Sequence, residues 1–333
     1  HKDIFAGGMQ DNGTSIQADN NNGFSLGNDF GQGDGAGTMF SQKNDNKYVV
    51  YAHTYNNSNY VLNMNNPGSN QTSLWWRISS NDDDEGDFIN KQALDSNFGV
   101  IYSNAGNGNV RAYHNWDDFV SSRSSIKDSY LINALGTSSS ALTVSPFNTQ
   151  SSTLYVGSDT GQVYRIRNAN NPNSQQKEQI TGSEFIGSVS DIEFGKDENH
   201  IFVTFYNYGV ESIWYSSDGG ENWSAKEGDL PDLPVYNILQ SPLDEDEVII
   251  GTELGVWFTN NFSSNNPTWK QAYAGMKDVR VTDMDLRKGD NTVFVSTYGL
   301  GIYSGVFQNS EPTFTINSNT NYIEILKGTS KSF

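Results

Sequence analysis

The densest group of potential metal ligands in this 333-residue chain is the acidic run from Asn81 to Asp87. Calcium binds several oxygen ligands of a flexible loop, and Asp82, Asp84 and Asp87 are candidates to supply them. The match to a calcium loop is loose, because its last position, residue 93, is Ala rather than Glu. A solvated acidic loop is the competing interpretation, since charge runs usually lie on the surface. Calcium is the one cofactor considered; otherwise none is expected.

Aromatic residues in or beside expected loops form a second group that points to ligand contact. Aromatic faces stack on sugars, and neighbouring Asn and Asp side chains bind hydroxyl groups. The alternative is burial, since aromatic residues also dominate protein cores. Trp75 and Trp76 are adjacent, so in an extended strand they point to opposite faces and at most one of them is buried on a given side. The weak binding candidates are Trp75, Trp76, Tyr113, His114, Trp116, Tyr206 and Tyr208.

Several classes of chemistry are excluded by composition. Cysteine is absent, which removes disulfides, thiol nucleophiles and iron–sulfur clusters. The four His residues are scattered without a metal-binding spacing, and no phosphate-binding Gly-rich loop precedes a helix. A net charge of −19 repels phosphate backbones, so nucleic acid is not an expected partner. No apolar run approaches the length of a membrane span, so membrane insertion is not expected either.

A repeat of short strands organises the chain. Runs of β-branched and aromatic residues alternate with turn residues, and helical periodicity is almost absent. Most runs have a partner strand upstream and another downstream, so each repeat contains three or four strands. The pattern predicts an all-β fold, a β-propeller of seven blades, each a four-stranded antiparallel sheet. The aligned positions are Phe5, Val49, Ile101, Tyr155, Phe202, Ile249 and Phe294, with spacings of 44, 52, 54, 47, 47 and 45 residues.

The clearest local motif, from Ser216 to Trp223, fits the pattern S-x-D-x-G-x-x-W that is called an Asp-box. Its elements are Ser216, Asp218, Gly220 and Trp223. We expect a structural hairpin turn in which the Asp carboxylate accepts turn N–H groups, Gly adopts a positive φ and Trp packs beneath the turn. Residues Thr259 to Trp269 look like a degenerate second copy that contains an insertion.

This motif and several others resemble the BNR/Asp-box repeat β-propeller family of large secreted Bacteroidetes-type proteins, within the sortilin-like and xyloglucanase-like propeller superfamily. The resemblance is strongest over residues 185–308. It implies secretion or display at the cell surface, commonly by type IX secretion. The stretches that carry it include Gly8–Thr14, Gly33–Gly35, Ser212–Gly220, Asp229–Val235, Gly251–Trp257, Asp278–Val281 and Thr297–Gly301.

The resemblance also raises two enzymatic alternatives. Sialidases share the Asp-box, but this acidic chain lacks an evident Arg triad for an anionic sugar. Xyloglucanase-like endoglucanases use two catalytic Asp residues beside Gly-rich segments, and Asp11 and Asp34 are loosely similar to them. An inverting hydrolase needs two separated carboxyl groups, one of them protonated. The competing interpretation is that both are turn residues that hold backbone N–H groups.

The sequence therefore favours an extracellular, non-catalytic recognition or scaffold propeller that binds a glycan or a cell-surface protein through face loops. The alternative is a glycoside hydrolase acting on a neutral β-glucan. Residues 1–310 are assigned to the propeller. For residues 311–333 two interpretations stay open: a strand that closes the ring, or the start of a downstream immunoglobulin-like domain. Because the sequence breaks off within an alternating pattern, it is expected to be a piece of a longer protein.

Overall fold

A computed structural model describes most of the chain. The described residues are 4–18, 28–30, 33–42, 48–53, 59–63, 75–78, 86–116, 129–133, 136–272, 276, 278–308 and 315–317. Over these ranges the named elements are all β-strands, and the strands pair antiparallel within each sheet. Within the same ranges, no helix has the length and hydrophobicity that a membrane span requires.

The chain divides into two compact units, and the first comprises residues 1–156 and 164–178. Its hydrophobic core includes side chains from the second and third strands of successive sheets, such as Val50, Val61, Ile101 and Val110. The strands of the first three sheets are β1 (Ile4–Met9), β2 (Gly13–Ala18) and β3 (Asn28–Phe30); β4 (Gly35–Phe40), β5 (Tyr48–His53), β6 (Asn59–Asn63) and β7 (Trp75–Arg77); and β8 (Gln92–Asp95), β9 (Val100–Asn104), β10 (Asn109–His114) and β11 (Ser129–Asn133).

The next sheet lies where the two units divide, and most of its residues belong to the first unit. Its strands, in order across the sheet, are β12 (Ser139–Val144), β13 (Thr153–Ser158), β14 (Val163–Arg167) and β15 (Gln176–Gln179).

The second unit comprises residues 157–163 and 179–333, and it contains three four-stranded sheets. Its core clusters include Phe202, Ile238, Ile249 and Val293. Its strands are β16 (Val189–Phe194), β17 (Ile201–Phe205), β18 (Ile213–Ser216) and β19 (Ser224–Ala225); β20 (Val235–Gln240), β21 (Val248–Thr252), β22 (Gly255–Thr259) and β23 (Lys270–Gln271); and β24 (Val281–Arg287), β25 (Thr292–Thr297), β26 (Gly301–Val306) and β27 (Thr315–Asn317).

The second strand of each four-stranded sheet contains the residue that defines the sequence repeat. Phe202 lies in β17 and Ile249 in β21, and every residue of these two strands is buried. A strand that is covered on both faces needs a continuous apolar run rather than alternation, which explains why these runs stand out in the sequence. Gly251 shows how closely neighbouring sheets pack, since a Cβ at that position would lie 2.5 Å from Cγ1 of Val281.

The prediction of seven blades, each a four-stranded sheet, is wrong. The described residues form six four-stranded sheets, not seven, and one three-stranded sheet, β1–β3. The repeat position Phe5 explains the difference: it lies in β1, whereas its counterparts lie in second strands, so within the described residues this sheet has no counterpart of the first strand. At the other end, Thr315–Asn317 pairs with β26 as the outer strand of the last sheet. The two interpretations of the tail rest mainly on residues 318–333, which lie outside the described residues.

Candidate functional site

The second unit contains three sheets, and at one edge of it the first strand of each sheet begins and the second strand ends. The antiparallel register sets this arrangement, because Val189 pairs with Phe205 across β16 and β17. The same relationship joins β20 to β21 and β24 to β25. Neighbouring sheets also meet there, since the Ser190 hydroxyl donates to the carbonyl oxygen of Val235 at 2.6 Å.

Apolar and aromatic side chains are exposed along this edge. We call the six residues Ile186, Tyr206, Tyr208, Tyr236, Leu254 and Tyr298 the tyrosine surface. Five of them are among the exposed large hydrophobic residues of the structure, with exposed fractions of 67% for Ile186, 42% for Tyr206, 61% for Tyr208, 43% for Leu254 and 62% for Tyr298. Soluble monomers rarely expose contiguous apolar surface without a use for it. The concentration of exposed apolar and aromatic side chains at one edge is therefore the main indication of a functional site.

A β-bulge places Tyr236 in this surface. The register between β20 and β21 shifts between Val235 and Asn237, so Tyr236 is the extra residue of the bulged strand. Similar shifts occur at the start of β16 and of β24. Bulges re-aim side chains and are common next to functional sites.

Four planar groups stack in a row across the tyrosine surface. The rings of Tyr206 and Tyr236 are parallel, with centroids 6.1 Å apart. The Arg280 guanidinium lies 5.8 Å from the Tyr236 ring centroid and 4.3 Å from that of Tyr298. The Tyr236 hydroxyl donates to Oε2 of Glu253 at 2.6 Å. Burial, together with this hydrogen bond, raises the pKa of Tyr236 to about 12, so the hydroxyl stays protonated at neutral pH.

The aromatic residues proposed from sequence fall into three groups. Tyr206 and Tyr208 are exposed and belong to the tyrosine surface. Tyr113 and Trp116 are buried to 1% exposure in a core cluster with Val50 and Ile101, so an exposed binding role for them is wrong. They occupy the core because the sheet that contains β10 packs its aromatic residues against β5 and β6.

The other three candidates lie in or beside strands of the first unit. His114 is half-buried and stacks on Tyr130, with centroids 4.8 Å apart. Trp75 and Trp76 lie in β7, where they pair with Leu62 and Val61 of β6, but their side chains lie outside the described part of the chain.

Asp11 and Asp34 are brought together by a turn. The Asp11 backbone N–H donates to Oδ1 of Asp34 at 2.5 Å, and Asp11 has a φ of +62°. The Gly13 N–H donates to the carbonyl oxygen of Gly33 at 2.6 Å. An aspartate that holds a nearby N–H is typical of turn structure. This contact supports the structural interpretation of Asp34, while the catalytic assignment of the pair stays a prediction.

The Asp-box motif folds as a hydrogen-bonded turn. Oδ1 of Asp218 accepts the Ser216 hydroxyl at 2.8 Å and the Asn222 N–H at 2.9 Å. The Gly220 N–H donates to the Ser216 hydroxyl oxygen at 2.8 Å, and Gly220 has a φ of +92°. These contacts, with the Asn222 amide as the main cause, hold the pKa of Asp218 below its ordinary value.

Trp223 packs differently from the expectation. The ring is half-buried rather than fully buried. Its Nε1–H donates to the carbonyl oxygen of Ile180 at 2.8 Å, and the ring contacts Phe185 edge to face. Both partners precede β16, so Trp223 fastens this turn to the segment that enters its sheet.

The second copy repeats the same contacts with different residues. The Thr259 hydroxyl donates to Oδ1 of Asn261 at 2.7 Å, and that oxygen also accepts the Thr268 N–H at 2.9 Å. Trp269 is buried to 4% exposure, and its Nε1–H donates to the carbonyl oxygen of Lys226. The insertion is accommodated between Asn261 and Thr268, and the motif keeps its turn.

The predicted calcium ligands fall mainly outside the described residues. Asp82 and Asp84 lie there, whereas Oδ2 of Asp87 accepts a hydrogen bond from the Asn104 side chain at 2.8 Å. In the part of the chain that the structure describes, no group of three or more His, Asp or Glu side chains is placed to hold a metal ion. Calcium binding by the acidic run stays a prediction.

Carboxyl groups on first strands of the second unit form a further cluster. Asp191 and Glu193 lie on one face of β16, two positions apart, and Oδ2 of Asp191 accepts the Ile238 N–H of β20. Burial, reinforced by the charge of Asp191, raises the pKa of Glu193 to about 8; Lys288 opposes the shift and Asp285 adds to it. A protonated carboxyl beside a carboxylate is an arrangement that acid–base catalysis uses.

Comparisons with known proteins bear on the fold. No family model matches this chain, and no curated protein matches it. Solved structures do: the chain is similar to the WD40 repeats of RRP9, with a TM-score of 0.60 and 11% identity over 84% of this chain and 78% of that one. It is similar to U3-55K with a TM-score of 0.61 and 11% identity, over 84% and 79% of the two chains.

The fold is a β-propeller. The all-β prediction and the propeller prediction are confirmed at this level. At 11% identity the similarity supports the fold alone, and it does not show membership of an Asp-box family. The propeller scaffold is consistent with a role in binding, since loops that a rigid scaffold holds often carry function.

Sequence reasoning missed most of the tyrosine surface, although a signal for it exists. Four of its residues each stand directly before a glycine: Ile186, Tyr208, Leu254 and Tyr298 precede Gly187, Gly209, Gly255 and Gly299. All four glycines have a positive φ, between +71° and +105°. A glycine in this conformation marks a tight turn, so the apolar residue before it lies at a turn. Such pairs mark turns, but they do not by themselves predict exposure, since Ala105 before Gly106 is fully buried.

Proposed function

We propose that this chain is a non-catalytic recognition propeller that binds a protein partner through the tyrosine surface. The observation that carries the proposal is the concentration of exposed apolar and aromatic side chains at one edge of the second unit. Tyrosine suits such contacts because it offers a large rigid ring together with a polar group. Stacking between Tyr206 and Tyr236 orders these rings before any partner binds, which lowers the entropic cost of association.

The test is a selection of binders from a displayed library of protein fragments against the whole chain. Each binder is then measured against the variant Tyr206→Ala/Tyr208→Ala/Tyr298→Ala. We expect the triple variant to weaken binding at least about a hundredfold, since central aromatic residues each contribute about 1–2 kcal/mol or more. Leu243→Ala/Val306→Ala is the matched control, because both residues are similarly exposed but lie at the other ends of their sheets.

A glycan partner is the other outcome of this test, since aromatic faces also stack on sugars. The same proteins are applied to a glycan array. Glycan binding that the triple variant abolishes, with no protein fragment selected, would replace the proposed protein partner by a glycan. Binding of any kind that the triple variant leaves unchanged would contradict the proposed surface.

A glycoside hydrolase is retained as a second candidate because of the carboxyl cluster around Glu193. Asp191 and Glu193 share a face of β16, and the raised pKa of Glu193 keeps one proton near neutral pH. These features favour Glu193 as the acid more than either residue of the Asp11 and Asp34 pair, where Asp34 holds a turn. Hydrolysis of a soluble β-glucan by the unmodified chain, lost in Glu193→Gln with folding preserved, would support the hydrolase.

The cellular location that the sequence resemblance implies, outside the cell or on its surface, is also retained as a proposal. Secretion or display at the cell surface would expose the tyrosine surface to extracellular partners. Fractionation of the source cells, followed by detection of this chain in the medium, on the surface or inside, tests this setting.

A further inference from the structure

The charges around the tyrosine surface restrict the kind of partner that fits it. The described segments around the surface, which comprise turns and the first residues of β16, β20 and β24, are 184–190, 206–212, 232–236, 253–254, 278–283 and 298. They contain six acidic residues and a single basic one, Arg280. The acidic residues are Glu184, Glu211, Asp232, Glu253, Asp278 and Asp283, and all of them except the half-buried Glu253 are exposed.

Contacts place several of these carboxylates beside the apolar residues. Oδ1 of Asp232 accepts the Gly209 N–H at 2.7 Å, directly after Tyr208. Glu253 accepts the Tyr236 hydroxyl and adjoins Leu254 in the chain. The Gln271 side chain donates to Oδ1 of Asp278 at 2.6 Å and to the carbonyl oxygen of Leu254 at 2.7 Å. Negative charge therefore borders the exposed apolar groups.

The position of Arg280 indicates which partner side chains could contact the tyrosine rings. Its guanidinium lies against the faces of Tyr236 and Tyr298, so a cation already occupies part of the aromatic row. Aromatic faces attract cations through their quadrupole, and arginine is the commonest partner. Tyr206, Tyr208 and Tyr298 retain exposed area for further contacts.

We infer that the partner is a basic polypeptide segment, in which lysine or arginine side chains accompany apolar anchors. This inference rests on the proposed function. The apolar anchors cover Ile186, Leu254 and the tyrosine rings. The cations pair with the six acidic residues around the tyrosine surface, which we call the acidic border. Charge complementarity of this kind speeds encounter and excludes partners of the wrong sign. The net charge of −19 on the whole chain also attracts a basic partner at long range.

The experiment compares three classes of synthetic peptide with identical apolar anchors. The first class carries lysine and arginine, the second serine in their place, and the third glutamate and aspartate. Binding to the whole chain is measured at low and at high salt. We expect the basic class to bind at least about tenfold more tightly than the acidic class at low salt, and the difference to shrink as salt screens the charges.

Variants connect that preference to the acidic border. Glu211→Gln/Asp232→Asn keeps the side-chain shapes, and Asn can still accept the Gly209 N–H. We expect it to weaken binding of the basic class about three- to tenfold and to leave the serine class unchanged. The matched control is Glu221→Gln/Glu245→Gln, which changes the net charge equally at exposed positions outside the tyrosine surface. It is expected to change binding less than about twofold.

The outcomes separate this inference from the proposed function. Equal or tighter binding of the acidic class, still weakened by Tyr206→Ala/Tyr208→Ala/Tyr298→Ala, would overturn the basic partner and leave the recognition surface in place. Basic binding that is insensitive to the tyrosine variant would overturn both. Absence of binding by every peptide class, or binding of neutral glycans alone, would also overturn the basic polypeptide partner.

Discussion

The rings of Tyr206 and Tyr236 lie parallel at an interplanar angle of 6°, although Tyr206 follows β17 of one sheet and Tyr236 is the second residue of β20 in the next. The contact depends on the bulge that displaces Tyr236 from the regular register. Two neighbouring sheets therefore build one continuous aromatic surface, and the Arg280 guanidinium extends it to Tyr298 of the third.

Exposed members of the tyrosine surface are expected to matter little for stability. Tyr208→Ser and Leu254→Ser should each change the free energy of unfolding by less than about 0.5 kcal/mol, since both side chains are exposed. Phe205→Ala, at a fully buried position three residues from Tyr208, should cost about 3–5 kcal/mol. Denaturant titrations measure all three. A large loss in the serine variants would indicate that these residues serve the fold rather than a partner.

The two Asp-box turns differ in how much their tryptophans contribute to stability. Trp269 is buried and bonded to Lys226, so Trp269→Ala is expected to cost about 3–5 kcal/mol. Trp223 is half-buried, so Trp223→Ala is expected to cost less, about 1–3 kcal/mol. Equilibrium unfolding followed by fluorescence and circular dichroism gives both values. The reverse order would contradict the packing described for the two turns.

Asp34 is expected to contribute to stability by holding the turn that contains Asp11. Asp34→Asn retains an oxygen that can accept the Asp11 N–H, so folding should be preserved, whereas Asp34→Ala should cost about 0.5–1.5 kcal/mol. Thermal melts compare the two variants, and a β-glucan assay runs in parallel. Turnover by the unmodified chain that disappears in a well-folded Asp34→Asn variant would support the catalytic prediction instead.

The raised pKa of Glu193 predicts a stability that falls with pH. Because the folded chain holds this proton up to about pH 8 whereas an exposed glutamate loses it near its ordinary pKa, the unfolded chain binds fewer protons between these limits. The contribution of Glu193 is complete below the ordinary pKa of glutamate and is lost as pH rises through about 8. Glu193→Gln should therefore melt at a higher temperature than the unmodified chain at pH 9.

The comparison should be repeated at acidic pH as a control. At pH 4 the glutamate is protonated in both states, so Glu193→Gln and the unmodified chain should melt within a few degrees of each other. Equal melting of Glu193→Gln and the unmodified chain at pH 9 would show that the carboxyl ionises without cost.

The strands could be predicted from sequence because their signal is local. The buried runs around Phe202 and Ile249 are continuous and bounded by turn residues, and the structure places both in second strands. The Asp-box could be predicted for the same reason, since its contacts span only Ser216 to Asn222. The partner of Trp223 could not, because Ile180 lies 43 residues away in the chain.

The candidate site was harder to predict because burial is a property of the assembled sheets. Tyr113 lies two residues before Asn115, which has a positive φ, and Tyr208 lies directly before Gly209, yet Tyr113 is buried against a neighbouring sheet and Tyr208 is exposed. The position of Tyr236 depends on a bulge whose register involves β21. A glycine with positive φ follows four of the exposed positions, but it also follows Ala105, which is fully buried, so this local feature does not by itself separate exposed from buried residues.

Hydrogen exchange of the whole chain, with and without the tightest-binding fragment or peptide, shows directly whether the tyrosine surface binds the partner. We expect slower exchange at the backbone amides of segments 206–210, 253–255 and 298–300, which form the tyrosine surface. Segments 196–200 and 242–246, at the opposite ends of the same strands, should exchange at an unchanged rate. Protection confined to those opposite turns or to the first unit, with none at the tyrosine surface, would contradict the account.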